Sequence, residues 1–417
     1  MGVPEARDQE KTTQKIVLLL EPREGVPAVV RTQDELDRVV AGFAAATGPV
    51  AVDAERASGY RYGQRAYLVQ VRRNGAGTAL IDPVDCPDLT ALDAAIGDAE
   101  TVLHAANQDL PCLAELGLRP RRLFDTELAG RLLGYPKVGL GSMVETVLGY
   151  ALEKGHSAAD WSTRPLPEEW LRYAALDVEL LIELRDALRE ELAGAGKLSW
   201  AEQEFAAILA TPPKPPRPDP WRRTSGIHRV RSRRALAVVR EVWETRDRIA
   251  QERDLSPGRV LADAAIIELA TALPRTPADV AELTTFRGRG PRRNMSAWLR
   301  AVAKARALPE DALPEHSLPS DGPPPAHRWA ERDPEAAKRL TAARAVVAAL
   351  AEEHNLPTEN LLQPDHVRRL AWSPPAGITD EAVRAALRSY GAREWQLDLV
   401  VPPMVTALHR LEGKEEP

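Results

Sequence analysis

Six prolines crowd into residues 211–220, and a second proline-rich stretch covers 309–325. Proline fixes φ and has no N–H for a helix or sheet ladder, so neither stretch continues a regular element. A chain punctuated this way is expected to fold as separate blocks: 16–208, 228–308 and 333–412. Residues 211–227 and 309–332 then read as linkers, and 1–15 as a polar, disordered N-terminus. With 44% hydrophobic and 28% charged residues, the 417-residue chain suits a globular protein. No apolar run approaches the roughly 20 residues of a membrane span, and the N-terminus has no apolar signal core. Two cysteines, Cys86 and Cys112, build no disulfide framework, so a reducing cytoplasm is the expected setting.

The first block mixes strands and helices. Residues 49–54, 66–72 and 78–81 read as short strands whose tight connections favour an antiparallel meander. A further strand is expected over 101–105, then a helix through Leu110 and Leu116. A long helix is expected over 167–192, with Pro167 in its first turn and Glu168 and Glu169 at the positive end of its dipole.

Three acidic clusters lie in order along this block: Asp53-Ala-Glu55, Asp109, and Tyr173 with Asp177. Asp53 and Glu55 are two apart on a strand and so share a face. Two carboxylates there are costly to bury unless a cation neutralises them. The bland alternative is a solvent-facing pair at a strand end, against which stands the apolar run Val50-Ala-Val52. Asp109, alone, reads as well as a helix cap. Tyr173 and Asp177 stand one helical turn apart, beside the apolar stripe Leu171, Ala175, Val178 and Ile182, where Tyr173 could equally fill the core. Hard divalent cations take oxygen ligands and keep positions for water and phosphate. Two such ions roughly 4 Å apart can activate water and stabilise a leaving oxygen.

The order Asp-x-Glu, Asp, Tyr-x-x-x-Asp resembles the DEDD exonuclease superfamily, in its tyrosine-bearing branch. Tyr67-Leu-Val-Gln70, Leu80-Ile-Asp-Pro83, Phe124-Asp-Thr-Glu127, Arg131-Leu-Leu-Gly134 and Asp160-Trp-Ser-Thr-Arg-Pro-Leu166 narrow the resemblance to the ribonuclease D family, over residues 30–200. That resemblance implies an α/β exonuclease domain with a ribonuclease H-like mixed sheet and flanking helices. It implies 3′→5′ hydrolysis of RNA to nucleoside 5′-monophosphates, with two divalent cations, Mg²⁺ or Mn²⁺. Asp53, Glu55 and Asp177 match the direct ligands, Asp53 also the bridge to the second ion. Asp109 matches the acid that holds the second ion through water, and Tyr173 the residue that orients the attacking water. Gln108 departs from the pattern, standing where the second motif often has an aromatic. Gln70, His104 and Asn107 are candidate substrate contacts. The implied partner is a single-stranded RNA 3′ end, with tRNA precursors the family expectation.

The second and third blocks read as all-helical copies of each other at an offset of 101. Ala250 falls on Ala351, Leu255 on Leu356, Ile266 on Val367, Leu269 on Leu370, Pro274 on Pro375 and Asp279 on Asp380. Trp243-Glu-Thr-Arg-Asp-Arg-Ile-Ala, Leu255-Ser-Pro and Leu261-Ala-Asp-Ala-Ala-Ile-Ile-Glu-Leu-Ala resemble a helicase-and-RNase-D C-terminal (HRDC) domain, and the third block does so more loosely. All-α HRDC-like bundles are therefore expected, in a role of nucleic-acid binding.

Net charge is −6, yet residues 214–240 hold nine basic residues against Asp219, and residues 286–308 hold seven with no acid. Such patches are a local footprint for a phosphate backbone, with Arg287, Arg292 and Arg293 the candidate contacts. No G-x-x-x-x-G-K-[ST] occurs, so no ATP-driven motor is expected. A DNA exonuclease of the same superfamily and a non-catalytic RNA-binding scaffold are the alternatives. Since the whole acidic set lies before residue 210, residues 1–210 alone are expected to retain cleavage.

Overall fold

The computed structural model describes residues 16–411 apart from positions 154, 157, 214 and 319–321. The expected disordered segment 1–15 and the basic residue Lys214 lie outside the described residues. Among the described residues, eight strands are β1 Val17–Leu19, β2 Val29–Val30, β3 Val50–Arg56, β4 Ala66–Arg73, β5 Gly77–Ile81, β6 Glu100–Leu103, β7 Arg122–Asp125 and β8 Tyr150–Leu152. Six of them build one mixed sheet in the order β2-β5-β4-β3-β6-β7, while β1 and β8 pair separately. β3, β4 and β5 run antiparallel as the meander predicts, and β6 joins β3 in parallel.

Strand alternation sorts the residues of β3 between two layers. Val50, Val52 and Ala54 enter the main core with Leu36 and Phe43. Ala51 packs on the opposite side with Val102, Val178, Leu181 and Ile182. Asp53 and Glu55 continue the Ala51 series, so they point toward the helix that carries Val178. That helix differs from expectation. The predicted span 167–192 is two helices, Glu168–Glu179 and Leu181–Gly194, broken at Leu180 with φ −111° and ψ 6°. The break keeps Val178 and Ile182 against Ala51 while Leu184, Leu188 and Leu192 turn into the main core.

The helical half is a structural repeat. Helices Arg233–Glu252, Pro257–Val260 and Asp263–Ala272 start 101 residues before Pro334–Glu353, Thr358–Leu361 and Pro364–Trp372. The turn after each first helix is also shared, with Asp254 and Asn355 both left-handed at φ 48°. Such residues tolerate this conformation better than most L-residues. The offset then slips. The next helices are capped by Thr276 and Thr379, 103 apart. Asp279 is the third residue of its helix and Asp380 the first, so that matched pair is not structurally equivalent.

The two copies are held differently. The first has its own core around Trp221, Val238, Ile266, Phe286 and Trp298. The second, with Trp329, Leu340, Val367, Leu387 and Val400, shares one continuous core with the sheet domain. Trp395 stacks on Trp200 at 4.8 Å and 13° and donates through Nε1 to Glu204 at 3.0 Å. Lys197 Nζ donates to the carbonyls of both Leu132 and His354, at 2.7 and 2.6 Å. A cut after residue 210 would therefore remove the ring stacked on Trp200 and one of the two carbonyls that Lys197 serves.

The linkers also do more than space the blocks. Trp221 and Leu313 are buried in the first copy's core and Trp329 in the shared one. Arg222, Arg233 and Arg234 of the expected basic footprint donate to the carbonyls of Glu315, Leu313 and Leu308. Part of that footprint, three of its nine basic residues, therefore ties these segments together.

Candidate active site

β3 and the helix Glu168–Glu179 cross so that Asp53, Glu55 and Asp177 each offer an oxygen within 4.8 Å of the others. Asp53 and Asp177 are partly exposed and Glu55 is buried. Burial raises Asp53 to about 6, against a hydrogen bond from the Ala54 N–H and the charge of Arg56. Burial, then the charges of Asp53, Asp177 and Asp109, push Glu55 up to about 10. Asp177 is pushed well up by burial and by Asp53. Carboxylates this close cannot all ionise without an added positive charge. Three anionic oxygens and no softer donor suit a hard divalent cation, so the residues present fit Mg²⁺ or Mn²⁺.

Asp109 stands just outside this trio. It occupies the N-cap position of the helix Leu110–Glu115, yet its side chain caps no backbone N–H. Its carboxylate instead faces Arg56 at 3.3 Å, and Arg56 also donates to the Gln108 carbonyl at 2.8 Å. Burial and the charge of Asp53 raise Asp109 to about 7, opposed by Arg56. The cap alternative thus finds no support in the geometry. Tyr173 lies one turn before Asp177, with its phenol against that carboxylate and its proton held more tightly than usual by burial and by Asp177. Its ring meets His156 edge-on at 5.8 Å and Trp161 at 6.5 Å.

Several residues that shape the site carry no obvious mark in the sequence. Asp125 accepts from the N–H groups of Ala105 and Ala106, at 3.0 and 2.8 Å, and from those of Glu127 and Leu128. It thereby pins the left-handed turn at Ala105 that leads to Asp109. Asp82 takes a bidentate pair from Arg164 at 2.7 and 2.8 Å, and Arg164 also donates to the Tyr67 carbonyl. That pair joins two of the motifs quoted above and fixes the loop that seats Trp161 beside Tyr173. Only the pattern of motif residues hinted at either role.

The other sequence candidates fall in different places. Asn107 is exposed on the turn beside Asp109. His104 is held neutral, its value lowered to about 4 by burial, with Nδ1 2.9 Å from the Thr126 hydroxyl. That contact ties the partly buried ring to the residue that follows Asp125. Gln70 is fully buried, so it does not line the cleft. Arg287 and Arg293 are exposed, whereas the Arg292 guanidinium donates to the carbonyls of Phe286 and Ala281.

A cavity of about 310 Å³ opens beside Glu55 and Arg56, walled by Ser58, Gly59, Tyr60 and Gln64 of the β3–β4 loop and by Ala158 and Ala159. The first helical copy holds that loop. Asp254 accepts from the Tyr62 N–H at 3.3 Å and pairs with Arg65 at 3.1 Å and Arg61 at 3.6 Å. The Ser256 N–H donates to the Tyr60 carbonyl, and Arg259 lies 4.1 Å over the Tyr60 ring while donating to the Gly59 carbonyl.

An acidic trio on a mixed sheet, beside a helical bundle that holds the rim of its cleft, is the arrangement of a metal-dependent nuclease. A model described as a 3′-5′ exonuclease matches residues 27–193, one described as an HRDC domain matches 235–302, and one described as a 3′ to 5′ exonuclease C-terminal domain matches 322–408. Ribonuclease D of Gluconacetobacter diazotrophicus is 33% identical over 84% of this chain and 87% of its own. A crystal structure of a protein from Bifidobacterium adolescentis superposes with TM-score 0.86 at 39% identity, covering 94% of this chain and all of that one. Escherichia coli RNase D, described as an exoribonuclease involved in structured RNA processing, superposes with TM-score 0.67 at 27% identity over 94% of this chain and 99% of its own. The chain belongs to the ribonuclease D family, and it is a metal-dependent 3′-5′ exoribonuclease.

Proposed function

We propose that this exoribonuclease trims the 3′ ends of tRNA precursors or other structured RNAs in the cytoplasm. On this reading it works with two divalent cations, Mg²⁺ or Mn²⁺, and releases nucleoside 5′-monophosphates. The observation that carries the reading is the convergence of Asp53, Glu55 and Asp177. Those three would hold the first ion, and Asp53 and Asp109 would serve the second. The ions supply the acidity that makes a water nucleophilic and the charge that stabilises the leaving oxygen. Tyr173 orients that water from beside Asp177. Arg56 keeps Asp109 in place, and its charge eases the crowding of carboxylates.

The cavity walled by Tyr60 and Gln64 receives the terminal nucleotide, a base having a face for an aromatic ring to meet. Exposed Asn107 lies at the rim. Upstream phosphates meet Arg287, Arg289 and Arg293 on the first helical copy, contacts that position without specifying sequence. Substrate in structured RNA follows the description of the Escherichia coli relative.

The test is hydrolysis of matched single-stranded RNA and DNA, and of a tRNA precursor with a 3′ extension. Asp53→Asn and Asp177→Asn are expected to abolish cleavage with the fold retained, EDTA to do the same, and Mg²⁺ or Mn²⁺ to restore the wild type. Full activity of Asp53→Asn in EDTA would refute the reading.

A further inference from the structure

One buried side chain beside the site has no hydrogen-bond partner among the described residues. Gln70 has no exposed surface, yet neither its amide nitrogen nor its amide oxygen has a hydrogen-bond partner among the described residues. Buried polar side chains are normally paired, and each exception asks for a reason. Its position gives one. In the β3–β4 ladder Gln70 lies directly opposite Asp53. Cross-strand partners stand on the same face, with Cβ atoms about 5 Å apart.

The rest of that face is already committed. Leu68, two residues before, packs with Ala174 and Ala175 of the helix that carries Asp177. Arg72, two residues after, donates to Thr78 at 2.8 Å and faces Glu179 at 3.5 Å. Gln70 therefore sits under the acidic trio, between an apolar neighbour and an ion pair, with two N–H donors unspent.

We propose that Gln70 is a positioning residue, whose amide donates to the Asp53 carboxylate when that carboxylate turns to hold a cation. The bond would fix which oxygen Asp53 presents, and it would keep that oxygen on the helix side of the cleft. Carboxylate ligands are commonly held this way from behind, and removal of such a partner typically weakens metal binding 10- to 100-fold. The inference rests on the proposal that Asp53 is a metal ligand.

Two features separate this role from simple core filling. A residue that fills space lowers the melting temperature when it is replaced. A buried amide with no partner in the metal-free protein does not, because an apolar side chain of similar size relieves an unmet polar group. The experiment therefore measures two things on the full chain: Mn²⁺ affinity, from the loss of the free-ion electron paramagnetic resonance signal, and the melting temperature in EDTA. Gln70→Met is the near-isosteric variant, and Gln70→Leu the second. Both are expected to bind Mn²⁺ about tenfold or more weakly, while melting in EDTA no lower than the wild type. Wild-type affinity in both variants would overturn the proposal. So would a fall in melting temperature in EDTA for both, which would mark Gln70 as packing. Absence of Mn²⁺ binding by the wild type itself would refute the metal assignment, and the role of Gln70 with it.

Discussion

Glu55→Gln is expected to make the metal-free protein more stable while abolishing the gain in stability that Mg²⁺ brings. Burial, and then the charges of three other carboxylates, push the ionisation of Glu55 from 4.5 up to about 10. A carboxyl raised in the folded state destabilises that state at every pH above its unfolded value. The penalty is absent below pH 4.5, grows as pH rises, and stops growing near pH 10. At pH 7 the folded chain must keep a proton that the unfolded chain has released. From 4.5 to 7 that costs about 3 kcal/mol, at about 1.4 kcal/mol per pH unit. Glutamine has the same shape and no proton to lose, so the variant escapes the cost. Unfolding entropy near 2.1 cal/mol/K per residue gives about 0.9 kcal/mol/K over the chain, and hence a rise of about 3 °C. The assay is thermal melting in EDTA and in saturating Mg²⁺, from pH 5 to pH 9. The wild type in EDTA should lose stability across that range, and Mg²⁺ should restore most of it, more at pH 9 than at pH 5. A Glu55→Gln protein that melts below the wild type in EDTA at pH 8 would refute the reasoning. So would a wild-type melting temperature that stays flat with pH.

Tyr173→Phe should lower kcat on the order of 100-fold with little change in melting temperature, since one lost oxygen opens no cavity; a stability loss at unchanged kcat would make Tyr173 a core aromatic. Trp395→Ala removes the ring stacked on Trp200 and should cost about 3–5 kcal/mol by denaturant titration, far from the acidic trio. Asp254→Asn keeps the left-handed turn but drops the ion pairs to Arg61 and Arg65, so KM for RNA should rise several-fold at unchanged Mn²⁺ affinity. An unchanged KM would show that the cleft wall stands without the clasp. Alanine at Arg287, Arg289 and Arg293 should flatten the dependence of log K on log salt by about 0.7 for each phosphate that is no longer neutralised. Arg292 is left out because its guanidinium serves two backbone carbonyls.

The trio was legible because each part of it rests on short-range geometry. Asp53 and Glu55 share a face by strand alternation, and Tyr173 and Asp177 share one by helical spacing. The repeat offset was legible for the same reason, through the shared helix starts at 233 and 334. What stayed hidden depends on where distant elements meet. Nothing near Arg56 in the chain announces that it will reach Asp109, fifty-three residues on. Gln70 looks like a polar residue free to touch substrate until the helix Glu168–Glu179 covers it. The break at Leu180 leaves no proline or glycine to mark it, and its cause is the turn of apolar residues from one core to another. The prolines gave no sign that Trp221 and Trp329 would be pulled into the cores on either side.

The shared turn at Asp254 and Asn355 means that the two helical copies are no longer interchangeable. Both plug the same corner into the nuclease, but into unlike sockets. Asp254 meets an N–H and two arginines at the rim of the cleft, whereas Asn355 donates its Nδ2 to the Leu133 carbonyl at 3.2 Å. Gly134, at φ 80°, leaves Asn355 the room, since a Cβ there would lie 2.2 Å from Nδ2. An exchange of the copies would bring a carboxylate against a carbonyl at the back, two acceptors with no proton between them. At the rim it would offer the arginines a neutral amide. The first copy also carries a basic stretch, 283–294, between the short helix Pro277–Glu282 and its last helix Met295–Ala307, where the second has only 390–393 between its last two.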